Sequence, residues 1–282
     1  MPESISSDII SALYFILTGL FMLPLVVMIF WKILKKGKFL PFVFGMLTYF
    51  FFGQLLNSLP QSWLAAGGNP IFDFLLARPA LYVLASGIIE AVFVEFGRFF
   101  ALGLCMKNTY KDRRDGVSFG IGMGFTEALL SVVLSVFMYV AMATALNESG
   151  SALAFLGSFD AEAHEDLIDM ITYVASLTTM DCVYTAVNAV CGMLVQIALS
   201  IVMFSAAQTE SKRNYFHLCV GLHLLVNIPL LLRQVDIIHG MVAPTCCFAV
   251  LTVLLFIFAY REYSTQYEKK VFSPIVNSRL RR

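Results

Sequence analysis

Seven stretches of the chain are apolar for long enough to cross the hydrocarbon core of a bilayer, which takes about 20 residues. They run over 9–31, 39–59, 79–106, 116–146, 183–207, 215–232 and 238–260. The pattern predicts an all-α polytopic membrane helix bundle of about seven transmembrane helices. Basic residues fall between the runs in alternation. Lys32, Lys35, Lys36 and Lys38 follow the first run, Lys107, Lys111, Arg113 and Arg114 the third, and Lys212 and Arg213 the fifth. Arg261, Lys269, Lys270, Arg279, Arg281 and Arg282 follow the last, whereas the opposite loops hold only Arg78 and Arg233 at helix edges. Cytoplasmic loops carry the Lys/Arg excess, so the N-terminus is expected outside and the C-terminus inside, with 261–282 a cytoplasmic basic tail. The first run follows PESISSD and lacks a basic flank, so it reads as an anchor and not as a removable signal peptide.

The long outer loop, 147–182, is acidic, with Asp160, Glu162, Glu165, Asp166 and Asp169 ahead of the apolar MITYVASL. It is expected to be a solvated extracytoplasmic cap ending in an interfacial helix. His164 among these carboxylates suggests a metal site, but a run of charges more often makes a solvated face. With no linker, internal repeat or low-complexity segment, the chain is expected to form one integral membrane domain over 1–282.

Composition narrows the classes further. Of 282 residues 59% are hydrophobic and 13% charged, against about a quarter charged in soluble chains. Net charge is zero, so there is no basic excess to neutralise nucleic-acid phosphates. The lipid bilayer is the expected surrounding, in a multi-pass cell-membrane protein. The six cysteines form no CxxC or Cys/His ladder and read as small packing residues.

Ionisable side chains at the bilayer centre cost roughly 2.5–3.5 kcal/mol on insertion scales, so each needs a partner or a function. The third run carries Glu90, Glu95 and Arg98, the fourth Glu127, and the sixth His223 with Asn227; Asn188 and Gln196 lie on the fifth. Counted from the flanking charges, Glu95, Glu127, Gln196 and His223 all lie roughly 15–18 Å from the inner boundary. Four helices thus present polar groups at one level. Glu95 and Arg98 (i, i+3) share a face, as do His223 and Asn227 (i, i+4). The plain reading is that Glu95 and Arg98 neutralise each other and His223 bonds a backbone carbonyl. Gly120, Gly122 and Gly124 let helices approach closely, and the missing side chains can at the same time leave space for a substrate or water beside Glu127.

A buried carboxylate in a wet, protein-lined pocket can act as general base beside an arginine, and an imidazole and an amide can hold a developing oxyanion. Glu95 with Arg98, and His223 with Asn227, match those needs. No HExxH, GxSG serine motif or mid-membrane aspartate pair is present. Among hydrolytic mechanisms a glutamate-based one is left.

The pieces VEFGR (94–98), FGIGMGFTEA (119–128), QIALS (196–200) and GLHLLVN (221–227) resemble the YhfC group of glutamic-type intramembrane peptidases, related to the CAAX-protease and bacteriocin-processing family. The resemblance implies a helix bundle with a polar cavity that cleaves membrane-associated peptides or proteins. Glu95 and Arg98 then match the second glutamate and the arginine of EExxR, and His223 and Asn227 the HxxxN oxyanion pair. Val94 replaces the first glutamate and Met123 the histidine of FxxxH. Gln196 and Asn188 stand where such sequences often show histidine and glutamate. A thioether cannot take a proton from water, and glutamine can only position it; Glu127, one turn from Met123, is the candidate substitute.

The expected site is therefore Glu95, Arg98, Glu127, His223 and Asn227 as catalytic residues, lined by Met123, Gln196 and Asn188, with no cofactor and no metal. Two other classes stay open. One is a non-catalytic relative binding a membrane peptide or partner, as in bacteriocin immunity or signalling; the other is a proton-coupled transporter relaying protons through its glutamates.

Overall fold

A computed structural model describes residues 2–208 and 214–279, with side chains through residue 265 except at 161. Among these residues the chain is helical, and seven helices are long and apolar enough to cross a membrane. They are α1 (Ser7–Lys35), α2 (Leu40–Ala66), α3 (Pro79–Cys105), α4 (Arg113–Ser149), α5 (Thr179–Gln208), α6 (Tyr215–Gln234) and α7 (Val242–Thr265). The helix of α7 continues as backbone to Arg279, into the expected tail. Lys212 and Arg213, on which part of the charge pattern rests, lie outside the described residues, as do Arg281, Arg282 and the side chains of Lys269, Lys270 and Arg279.

Every span of the sequence reading appears, with shifted ends. α2 runs on to Ala66, past the polar Asn57, Ser58 and Gln61 that end its apolar run. Gln61 is satisfied within the protein: its Nε2 donates to the Ser86 carbonyl at 2.9 Å and its Oε1 accepts from Ser86 Oγ at 2.8 Å. α5 starts four residues earlier than its apolar run suggests because Thr178 and Asp181 cap it reciprocally. Thr178 N–H donates to Asp181 Oδ2 (2.9 Å) and Asp181 N–H to Thr178 Oγ1 (3.2 Å), the exchange of a capping box. Three spans contain a wider π-helical turn, at Tyr49–Leu56 in α2, Ala101–Cys105 in α3 and Leu129–Val133 in α4. Such turns insert one residue into a helix and recur near functional sites.

The chain falls into two compact units. One comprises 1–23 and 128–190. There the Asn147 side chain closes two bonds with the backbone of Ile5, each 2.8 Å. The acidic loop forms short helices at Ala152–Leu156 and His164–Ser176. Ile171 and Val174 of the second are fully buried, and Tyr173 meets Tyr139 with ring centroids 5.5 Å apart. His164 Nε2 pairs with the Leu156 carbonyl at 2.9 Å.

The other unit comprises 24–127 and 191–282. Its α4 segment is packed through glycines. A Cβ on Gly122 would lie 1.9 Å from the Phe42 carbonyl oxygen of α2, and one on Gly45 of α2 would lie 2.0 Å from that of Phe119. On its other side, a Cβ on Gly120 would lie 2.7 Å from Ile197 Cα and one on Gly124 2.9 Å from Met193 Cα, both on α5. These glycines let backbones touch, as small residues do between membrane helices. Of the two expectations for these glycines, close helix packing is the one these contacts show.

Candidate active site

α3 begins at Pro79, whose fixed φ suits a first helical position. Four turns later Glu95 and Arg98 point inward, each with no exposed surface. Arg98 holds three neighbours. Nη1 donates to Glu95 Oε1, Nη2 to Gln196 Oε1 on α5, and Nε to Met123 Sδ on α4 at 3.3 Å. The guanidinium fork thus fastens α3, α4 and α5 at one point. Met123 Sδ also lies 3.9 Å from Ser200 Oγ.

From α6, His223 Nδ1 lies 2.7 Å from Glu95 Oε1. A carboxylate there can only accept, so Nδ1 carries the proton in this pairing. Nε2 is then an acceptor in the neutral ring and a donor in the cation. Glu95 is held by two donors at Oε1, while Oε2 is buried and has no protein partner.

Glu127 stands beside this cluster. Its carboxyl lies over Gly192, where a Cβ would be 3.8 Å from Oε1, and the Gln196 side chain stands beside it. Glu127 Oε2 is also shielded and without a partner. Gln196 therefore lies between two groups, its carbonyl accepting from Arg98 and its side chain next to Glu127. Glu90, one turn past Ser86 on α3, lies within electrostatic reach of both His223 and Glu127.

Of the expected residues, Glu95, Arg98, Met123, Gln196 and His223 are joined by direct bonds, and Glu127 adjoins them. Asn227 sits differently: its Nδ2 donates to the carbonyl of His223, one turn back on its own helix, at 3.0 Å. Asn188, in the other unit, has a buried Oδ1 with no partner. The reading from sequence missed Ser200 and Gly192, and it gave Glu90 no role. The i, i+4 spacing of Gly192 and Gln196 on one face of α5 was the available signal.

These observations define a polytopic membrane protein with a buried carboxylate, arginine and histidine at membrane depth. The model of the YhfC intramembrane metalloprotease family matches residues 19–247, and the chain belongs to that family. A similar curated protein is the Uncharacterized membrane protein YhfC of Bacillus subtilis (strain 168), 26% identical over 235 residues, covering 83% of this chain and 88% of that one. No solved structure matches.

The family's description implies a metal, and the donor set here does not suit one. A catalytic zinc needs about three protein N, O or S⁻ ligands converging on one point. Glu95 and His223 are bonded to each other, and among the described residues no group of three or more His, Cys, Asp or Glu is placed to hold an ion. The acceptors Glu95 Oε1, Gln196 Oε1 and Met123 Sδ converge instead on a guanidinium. A dication brought to the same acceptors would face that fixed positive charge at contact distance.

Proposed function

We propose that this chain is an intramembrane peptidase of glutamic type that cleaves membrane-associated peptides or proteins without a metal. The supporting observation is Glu95: fully buried, held at Oε1 by Arg98 and His223, and free of protein partners at Oε2. A carboxylate fixed at one oxygen offers the other in a defined direction, which is what a general base requires of geometry. Oε2 takes a proton from water, and the water oxygen attacks the scissile carbonyl carbon. Arg98 holds the carboxylate in orientation and balances its charge. Asn227 gives up its bond to the His223 carbonyl and donates Nδ2 to the developing oxyanion, joined by His223 Nε2 when that ring is the cation.

The test is cleavage of labelled prenylated and leader peptides by the purified protein in nanodiscs, beside Glu95→Gln and with a chelator added. Cleavage that Glu95→Gln abolishes and the chelator leaves intact is the expected result. Cleavage abolished by chelator would make the site metal-dependent. No cleavage across the panel by folded protein would leave the cluster as a binding cavity.

A further inference from the structure

We infer that Glu127 is a second reacting carboxyl of this site, the group that hands a proton to the leaving amine, and that Gln196 is its positioning residue. The inference rests on the peptidase reading above and adds the half of the reaction that Glu95 does not supply. Hydrolysis of an amide needs a base for water and an acid for nitrogen, since an amine does not leave as an anion. Histidines would be the usual source of the second proton, but the positions in question hold Met123 and Gln196, neither of which can give one.

The geometry puts a carboxyl where they fail. Glu127 lies one turn beyond Met123 on α4, and its carboxyl rests over Gly192, where an added Cβ would come into van der Waals contact with it, 3.8 Å from Oε1. Gln196, one turn beyond Gly192, is its neutral neighbour, and because Arg98 takes the carbonyl of that side chain, the N–H end is the one left to serve Glu127. The two carboxyls thus have partners of different kinds. Glu95 is bonded by a guanidinium and an imidazole; Glu127 has an uncharged amide for its neighbour and keeps Oε2 shielded and unpartnered. Two carboxyls in contrasting surroundings can divide the base and acid roles.

The step balances as follows. Water loses a proton to Glu95 as its oxygen bonds the carbonyl carbon. The C–N bond breaks with its electron pair going to nitrogen, which takes the proton of Glu127. Acid and amine leave, and a proton passes from Glu95 to Glu127 through cavity water to restore the starting state.

A matched pair of apolar peptides tests this, one with an amide at the scissile position and one with a p-nitrophenyl ester, whose leaving group needs no proton. Glu127→Gln is expected to cut amide cleavage by about 10²–10⁴-fold, the usual contribution of a general acid, while ester cleavage stays within a few-fold of wild type. Gln196→Asn should show the same split in weaker form, and Glu127→Asp should recover part of the amide cleavage. Glu95→Gln should lose both. Equal loss on both substrates in Glu127→Gln, or undiminished amide cleavage, overturns the inference while leaving the peptidase reading in place. Glu127→Asp keeps the test decisive if the glutamine variant does not fold. A wild-type protein that cleaves neither substrate overturns both readings.

Discussion

Glu95 and Arg98 are each without exposed surface, so solvent screening does little to soften the loss of either one. Removing one partner of a buried ion pair typically costs about 3–5 kcal/mol, because the other charge stays behind uncompensated. Arg98→Met would leave Glu95 Oε1 with His223 as its one remaining donor and the Gln196 carbonyl without the guanidinium; Glu95→Gln would leave the guanidinium with only neutral acceptors. The double variant removes both charges, so it should be less destabilised than the two singles summed, with a coupling of up to about 3 kcal/mol. Unfolding in mixed micelles can be followed by a fluorogenic maleimide. Cys105, Cys246 and Cys247 are exposed on the protein surface and are blocked with N-ethylmaleimide beforehand, whereas Cys182, Cys191 and Cys219 are buried and react as the fold opens. Additivity within about 0.5 kcal/mol, the behaviour of independent sites, would refute the idea that these charges hold each other in place.

Other outcomes follow from the same geometry. Gly122→Ala and Gly45→Ala would each drive a methyl to about 2 Å from a backbone oxygen and should abolish recovery of monodisperse protein; Gly221→Ala, with nothing within 4 Å, should not. Asn227→Ala should lower kcat by about 10²–10³-fold, the cost of one oxyanion donor, with thermal stability nearly unchanged because the bond lost lies within its own helix. His164→Ala frees the carbonyls of Leu156 and Phe159; it should speed proteolysis between the short helices of that loop and leave peptide cleavage unaltered.

The spans were legible because a run of about 20 apolar residues has few alternatives, and the Glu95–Arg98 pair because i, i+3 spacing forces a shared face. What was hidden depends on neighbours distant in the chain. Met123 and Gln196 read as losses when compared with a motif, yet both receive N–H groups of Arg98. Asn227 shares a helical face with His223 as expected, but the nearest acceptor for its amide is the backbone, a competition that spacing does not reveal. Gly120, Gly122 and Gly124 permitted a contact, a void or both, and only the partner helices decide among them. The π-helical turns leave no mark in a pattern of polar and apolar residues.

The glycines on different helices also predict which walls of the site can yield. Gly120, Gly122 and Gly124 of α4 have main-chain atoms of α2 and α5 as their nearest neighbours, which have no rotamers to change. On α3, a Cβ at Gly97 would meet the Phe52 ring and one at Gly87 the Leu231 side chain, groups that can swing aside. α4 is accordingly a stiff post on which Glu127 is mounted, and the compliant seams run along α3, against α2 and α6. If a peptide is admitted as proposed, the widening it needs falls to those seams, and the helix that carries Glu95 is then the one expected to yield.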